Sequence, residues 1–191
     1  MKRITFSIIL LGLVSLANAQ EITPNGTPKD KKYGLVIGYY GNKLTEAGVQ
    51  VGLENYLATT ANFQVISSLH VNVFRKKNVH TGVSLNPRIG VRHTANWGLT
   101  MEGHLGMGYL HRFFDYDQYK LDDAGAIVKQ GKAGQSSVMP NIAVGLGYDF
   151  SRTSQLPVAL YLRPSVNWVY PNKHFGFEAS YAAEVGVVVK L

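Results

Sequence analysis

The chain has 191 residues and no cysteine, and its 19 Lys and Arg outnumber 12 Asp and Glu to give a formal net charge of +7. That length accommodates one domain. The absence of cysteine excludes a disulfide framework and thiolate chemistry, and the positive balance favours phosphate-bearing partners.

Lys2-Arg3, an apolar run from Ile8 to Leu16 and Ala17-Asn18-Ala19 read as a secretory signal peptide over residues 1–19, cut before Gln20. The run is too short for the ~20 apolar residues of a membrane helix. For an exported chain, an anionic lipid head group is a better expected partner than nucleic acid. Residues 20–32, with Pro24, Gly26, Pro28 and several lysines, read as a flexible leader.

From Tyr33 the pattern becomes period two, the signature of strands. The first runs from about Tyr33 to Gly41, with Tyr33, Leu35, Ile37 and Tyr39 on one face. The second covers Glu46 to Leu57, and the third Phe63 to Phe74, after a turn at Thr59 to Asn62. Arg75-Lys76-Lys77 then leads into a hairpin from Val79 to His111. Its first strand sets Val83, Leu85, Pro87, Ile89 and Val91 against Ser84, Asn86, Arg88, Gly90 and Arg92. Past Thr94-Ala95-Asn96, read as a three-residue turn, Leu99, Met101, Leu105 and Met107 oppose Thr100, Glu102, His104 and Gly106. Residues 113–137 break the alternation and read as one long charged loop, with room for a small hairpin across Asp123-Ala124-Gly125. Three further strands follow, near Val138 to Phe150, Val158 to Tyr170 and Phe175 to Leu191. Pro87, Pro140 and Pro164 each remove a ladder donor, so bulges are expected there.

Eight strands without a helix suit a closed barrel, and alternation alone leaves open whether the oily face points in, as in a lipocalin, or out. Three features favour out. The polar face combines glycines with charges of both signs (Glu54, Arg88, Arg92, Glu102, Arg163, Glu178, Glu184), as an internally paired lumen would. Aromatics gather near strand ends: Tyr33, Tyr56, Phe63, Trp97 and Phe150 at one, Tyr39, Tyr109, Phe113, Trp168 and Phe175 at the other. With a periplasmic amino terminus, the turns near residues 58–62, 94–96 and 151–156 are periplasmic and short, and the long loop falls outside.

On this architecture the segment from Tyr33 to Leu191 resembles the eight-stranded outer-membrane barrels of Gram-negative bacteria, the class of OmpX and the OmpA membrane domain. The resemblance implies an all-β, up-and-down transmembrane barrel, outer-membrane localisation, and the barrel-insertion machinery as a partner during biogenesis. That class usually ends in an aromatic residue, where this chain ends in Leu191.

The expected lumen network is Glu54, Arg88, Arg92, Glu102, His104, Arg163 and Glu184. The three-residue turn sets Arg88 directly opposite Glu102 and Asn86 opposite His104. A structural ion pair is the expected role, ahead of a gate or proton path. Lys43, Arg75, Lys76, Lys77, Arg112 and Lys173 lie at the outer rim, where they are candidates for lipopolysaccharide phosphates or simply solvated turn charges. Asp115, Asp117, Asp122 and Asp123 fail the EF-hand spacing because Tyr119 occupies the third ligand position, and no zinc spacing occurs, so no metal or other cofactor is assigned. Arg92-His93-Thr94-Ala95-Asn96 is similar to the His-x-Ser-Asn segment of PagL-type lipid A deacylases. Ala95 stands where that family needs its serine, so no catalytic residue is assigned. The expectation is a non-enzymatic barrel that binds at the cell surface or serves as an accessory subunit among other envelope proteins. The rivals are a lipid-modifying enzyme and a narrow channel.

Overall fold

In the computed structural model, which describes residues 31–43, 45–121, 127–131, 134–154, 156–172 and 176–191, the alternating segments become ten strands. They are β1 (Tyr33–Asn42), β2 (Glu46–Thr59), β3 (Phe63–Lys76), β4 (His80–Thr94), β5 (Leu99–Phe114), β6 (Gln118–Leu121), β7 (Ile127–Gly131), β8 (Gln135–Asp149), β9 (Val158–Asn172) and β10 (Gly176–Lys190). The expected signal peptide and most of the leader lie outside the described residues.

Eight of these strands form a closed antiparallel barrel in which each pairs with its neighbours in sequence. Closure comes from β1 against β10, from Gly34↔Lys190 to Asn42↔Ala182. No edge is left to template aggregation, which a sheet with no helical cover needs. One end, here the terminal end, carries the turns after β2, β4 and β8 and a hydrogen bond from Leu191 N to Tyr33 O at 2.8 Å. The other, the arm end, carries the turns after β1, β3 and β9 and the excursion between β5 and β8.

That excursion is shorter than the sequence suggests, because β5 extends to Phe114 and β8 begins at Gln135. Within it β6 and β7 pair as a two-stranded arm, Leu121↔Ile127 and Lys120↔Val128. The expected Asp123-Ala124-Gly125 turn lies outside the described residues, between those two strands.

The wall is apolar outside and polar inside, the reverse of a soluble barrel. Val49, Val51, Leu53, Met101, Leu105, Met107, Leu160 and Leu162 are all exposed on the exterior, while Gln50, Glu54, Asn72, Asn86, Arg163 and Glu184 are buried within. An apolar surface this continuous far exceeds the patches water-soluble monomers tolerate. Aromatic side chains flank the band: Tyr33, Phe63 and Trp97 toward the terminal end, Tyr39, Tyr109, Phe113, Tyr170, Phe177 and Tyr181 toward the arm end. Tyr56 corrects the expected girdle, since it points inward and is buried.

The prolines also behave differently from expectation. The register runs unbroken past all three, and the irregularities within the barrel fall instead at Tyr56/Ala58 and Gly176/Glu178. Pro87 keeps its partner Leu69 on β3 while the β4–β5 ladder skips from Leu85↔Tyr109 to Arg88↔Gly106. Pro140 and Pro164 likewise keep Met107 and Ala183 on one side and lose rungs between β8 and β9. A missing donor on one side can be absorbed by omitting a rung, with no extra residue inserted.

Candidate functional site: the barrel interior and its rim

Inward positions on β2, β4, β5, β9 and β10 converge because every second side chain faces the axis. Arg92 and Glu102 are direct cross-strand partners, as are Arg163 and Glu184. Arg92 Nε donates to Glu102 Oε1 at 2.8 Å, and its Nη2 donates to both oxygens of Glu54 at 2.9 and 3.0 Å. Arg163 Nη2 donates to Glu102 Oε2 at 2.6 Å and reaches Glu54 Oε1 at 3.4 Å. Its Nη1 lies 3.6 Å from Glu184 Oε2. Arg88 grips Glu184 with both guanidinium arms, at 2.7 and 3.0 Å, and its Nε donates to Asn141 Oδ1 at 2.8 Å. His104 Nε2 bonds Glu102 Oε2 at 2.9 Å.

The result is one continuous path of alternating charge: Arg88, Glu184, Arg163, then Glu54 and Glu102, then Arg92. Three guanidinium groups meet three carboxylates, so the formal charge of the cluster is zero. Between Arg88 and Glu184 the geometry is fork-to-fork, which makes strong hydrogen bonds as well as an ion pair. The Arg163 guanidinium also sits 4.6 Å from the Tyr161 ring centroid, and Tyr161 Oη donates to Gln50 Oε1 at 2.7 Å.

All seven sequence-predicted lumen residues thus lie inside the barrel and touch one another, but not in the predicted pairs. Arg88 stands across from Gly106 rather than Glu102, and His104 from Gly90 rather than Asn86. The physical reason is the turn. Ala95 N bonds Leu99 O, and Gly98 adopts a left-handed φ of 99°, so the strands part at Thr94↔Thr100. The ladder is therefore offset by four residues from a three-residue turn. Four is even, so each side chain keeps its face.

Toward the arm end the lumen closes over an apolar layer of Tyr40, Phe74, Leu110, Met139, Val169 and Ala182. Tyr40 and Phe74 rings lie 5.5 Å apart. Gly82 is required beside this layer, because a Cβ there would stand 2.3 Å from Phe74 Cζ. Between the plug and the ion cluster, Asn72 and Asn86 both donate to Ser84 Oγ at 3.1 Å.

The rim residues divide. Arg112 is a correction: its side chain turns into the barrel mouth, buried, with Nη1 3.5 Å from Glu178 Oε2. Lys43 pairs with the same carboxylate. Arg75 points outward and lies 3.6 Å from Asp115. Lys76 and Lys77 are exposed in the tight turn, and Lys173 lies outside the described residues. Asp117 pairs with Lys129 at 2.7 Å. Sequence reasoning missed the pair at the terminal end, where Lys190 bonds Asp149 and Asp149 Oδ1 accepts from Ser151 N at 3.0 Å. The Asp-x-Ser spacing before a turn is the signal that could have revealed it.

No family model matches the chain, and no curated protein matches it. Solved structures do. Neisserial surface protein A (NspA) superposes with a TM-score of 0.51 at 11% identity, over 83% of this chain and 94% of that one. Ail, the attachment invasion locus protein of Yersinia pestis, gives 0.51 at 12% identity, over 84% and 99%. Identities this low establish likeness of fold: the chain has the closed eight-stranded architecture of the outer-membrane barrels.

Proposed function

We propose that the chain is a non-enzymatic integral outer-membrane barrel whose work is done by its exterior: a sealed anchor presenting the β6–β7 arm and the arm-end rim to an envelope or surface partner. The observation that carries this reading is the filled lumen. A neutral cluster of six interlinked charges beneath an apolar plug occupies the lumen, as expected of a narrow eight-stranded barrel rather than an open pore. What remains available to a partner is the arm, with Tyr116, Tyr119, Ile127 and Val128 exposed, and the basic turn Arg75-Lys76-Lys77, suited to lipopolysaccharide phosphates. In this orientation the terminal end is periplasmic. The test is threefold: membrane fractionation, planar-bilayer conductance, and capture of envelope partners by the intact protein and by a form lacking residues 118–131. Outer-membrane recovery, no conductance and partner loss on arm deletion are expected. Steady conductance, or capture indifferent to the arm, would refute it.

One observation favours a second reading, lipid modification. On the exterior, Ser136 Oγ lies 3.0 Å from His111 Nδ1. Among the described residues no carboxylate orients that histidine, so the nucleophile–base pair lacks its third member.

A further inference from the structure

We infer that the β4–β5–β8 wall holds a single phosphate-bearing membrane lipid, its head group on Tyr109, His111 and Ser136 and an acyl chain in a groove that ends at Gly103. The inference rests on the reading that this wall faces a bilayer.

The groove comes from the sequence. On the outward face of β5, Gly103 falls between Met101 and Leu105, and a Cβ built on it would meet nothing within 4 Å. The missing side chain opens a shallow depression in the wall, framed by Ile89, Val91, Leu105, Ile142 and Val144. A second, still shallower depression, framed by Pro87, Ile89, Leu105 and Met107, shares two of those residues and lies toward the arm end. It follows the seam where the β4–β5 ladder skips its rungs at Pro87.

The polar end is built from neighbouring rungs. His111 pairs with Ser136, and Tyr109 with Val138. Ser136 Oγ lies 2.8 Å from Tyr109 Oη and 3.0 Å from His111 Nδ1, and the Phe113 ring meets the imidazole at 4.4 Å between centroids. Hydroxyl and imidazole groups clustered on an otherwise apolar wall need polar company. Arg75, which also pairs with Asp115, points outward in the row Arg75↔Thr81↔Phe113, two residues above the His111 row. With Tyr109 Oη and His111 Nδ1 donating to Ser136 Oγ, the Ser136 hydroxyl proton is left to donate to a phosphate oxygen.

The spacing fits a lipid. Eight residues separate Gly103 from His111, about 27 Å along a strand. A tilt of about 40° reduces that to roughly 21 Å along the axis. Half of a ~40–45 Å bilayer, head groups included, is the same length. A head group at His111 therefore puts Gly103 near the depth of the bilayer centre, so an acyl chain leaning along the tilted strand passes over the depression toward it.

The test uses the full chain refolded into phosphatidylcholine nanodiscs containing a minor fraction of phosphatidylglycerol, with native mass spectrometry counting retained lipid. Wild type is expected to retain one phosphatidylglycerol in preference to phosphatidylcholine. Gly103→Leu, whose Cβ would meet nothing within 4 Å, and the pair His111→Ala with Ser136→Ala are each expected to lower retention about fivefold or more, a loss of roughly 1 kcal/mol. Heat-modified gel migration verifies that each variant is folded. Equal retention in all three proteins, or no preference for phosphatidylglycerol, overturns the site and leaves the barrel reading standing. Failure to enter bilayers overturns the membrane reading itself. Ser136-dependent release of fatty acid would support the site and overturn the non-enzymatic reading.

Discussion

Glu184 is the residue whose loss the interior should tolerate least. It is fully buried and accepts two Arg88 hydrogen bonds, at 2.7 and 3.0 Å, with Arg163 3.6 Å from the same carboxylate. Glu184→Gln keeps the volume and removes the charge, so three guanidinium groups then face two carboxylates away from water. Breaking one partner from a buried pair costs about 3–5 kcal/mol, because the survivor stays buried. Arg88→Met should cost a similar amount, since it leaves Glu184 with only the longer Arg163 contact and strands the Asn141 oxygen. The double variant restores neutrality, two cations against two anions. It should therefore be less damaging than the sum of the singles by roughly 2–3 kcal/mol. Urea unfolding and refolding in lipid vesicles, followed by fluorescence and gel mobility, measures all four corners. A coupling below about 0.5 kcal/mol would refute the reasoning, since independent sites add within that margin. The same cycle for Arg88 and Glu102, which do not touch, should give the smaller coupling.

Phe74→Ala removes half of the ring pair in the plug and should cost about 3–5 kcal/mol in the same unfolding assay. It should leave conductance absent, because the ion cluster fills the lumen below. Ile89→Arg puts a charge on the exposed mid-wall and should destabilise the barrel in vesicles by about 2–4 kcal/mol. Deleting residues 118–131 removes strands that pair only with each other in the described sheets, so the urea midpoint should shift by no more than about 0.5 kcal/mol equivalent.

How far the chain could be read in advance depends on the range of the interaction involved. Whether Arg92 or Val91 faces the axis is a matter of parity, and parity is written into every second residue. The eight barrel strands, their number and their faces were therefore legible, and the polar set Glu54, Arg88, Arg92, Glu102, His104, Arg163 and Glu184 could be picked out by face alone. Tyr56 was legible by the same parity, since it lies two residues beyond Glu54 and before the β2–β3 ladder slips; its place near a strand end obscured its face. Arg112 escaped because a strand that continues past its expected end carries its side chains inward with it.

Partners were a different matter. One turn decides the Arg92–Glu102 pairing, through a single left-handed glycine at Gly98. Arg88 and Glu184 are 96 positions apart and meet only because β1 joins β10 to close the ring. The sequence by itself determined which side chains share the interior, since a two-residue repeat is local. Only the tertiary structure decided which charges touch, because that choice belongs to turn geometry and barrel closure, and neither is a property of any one strand.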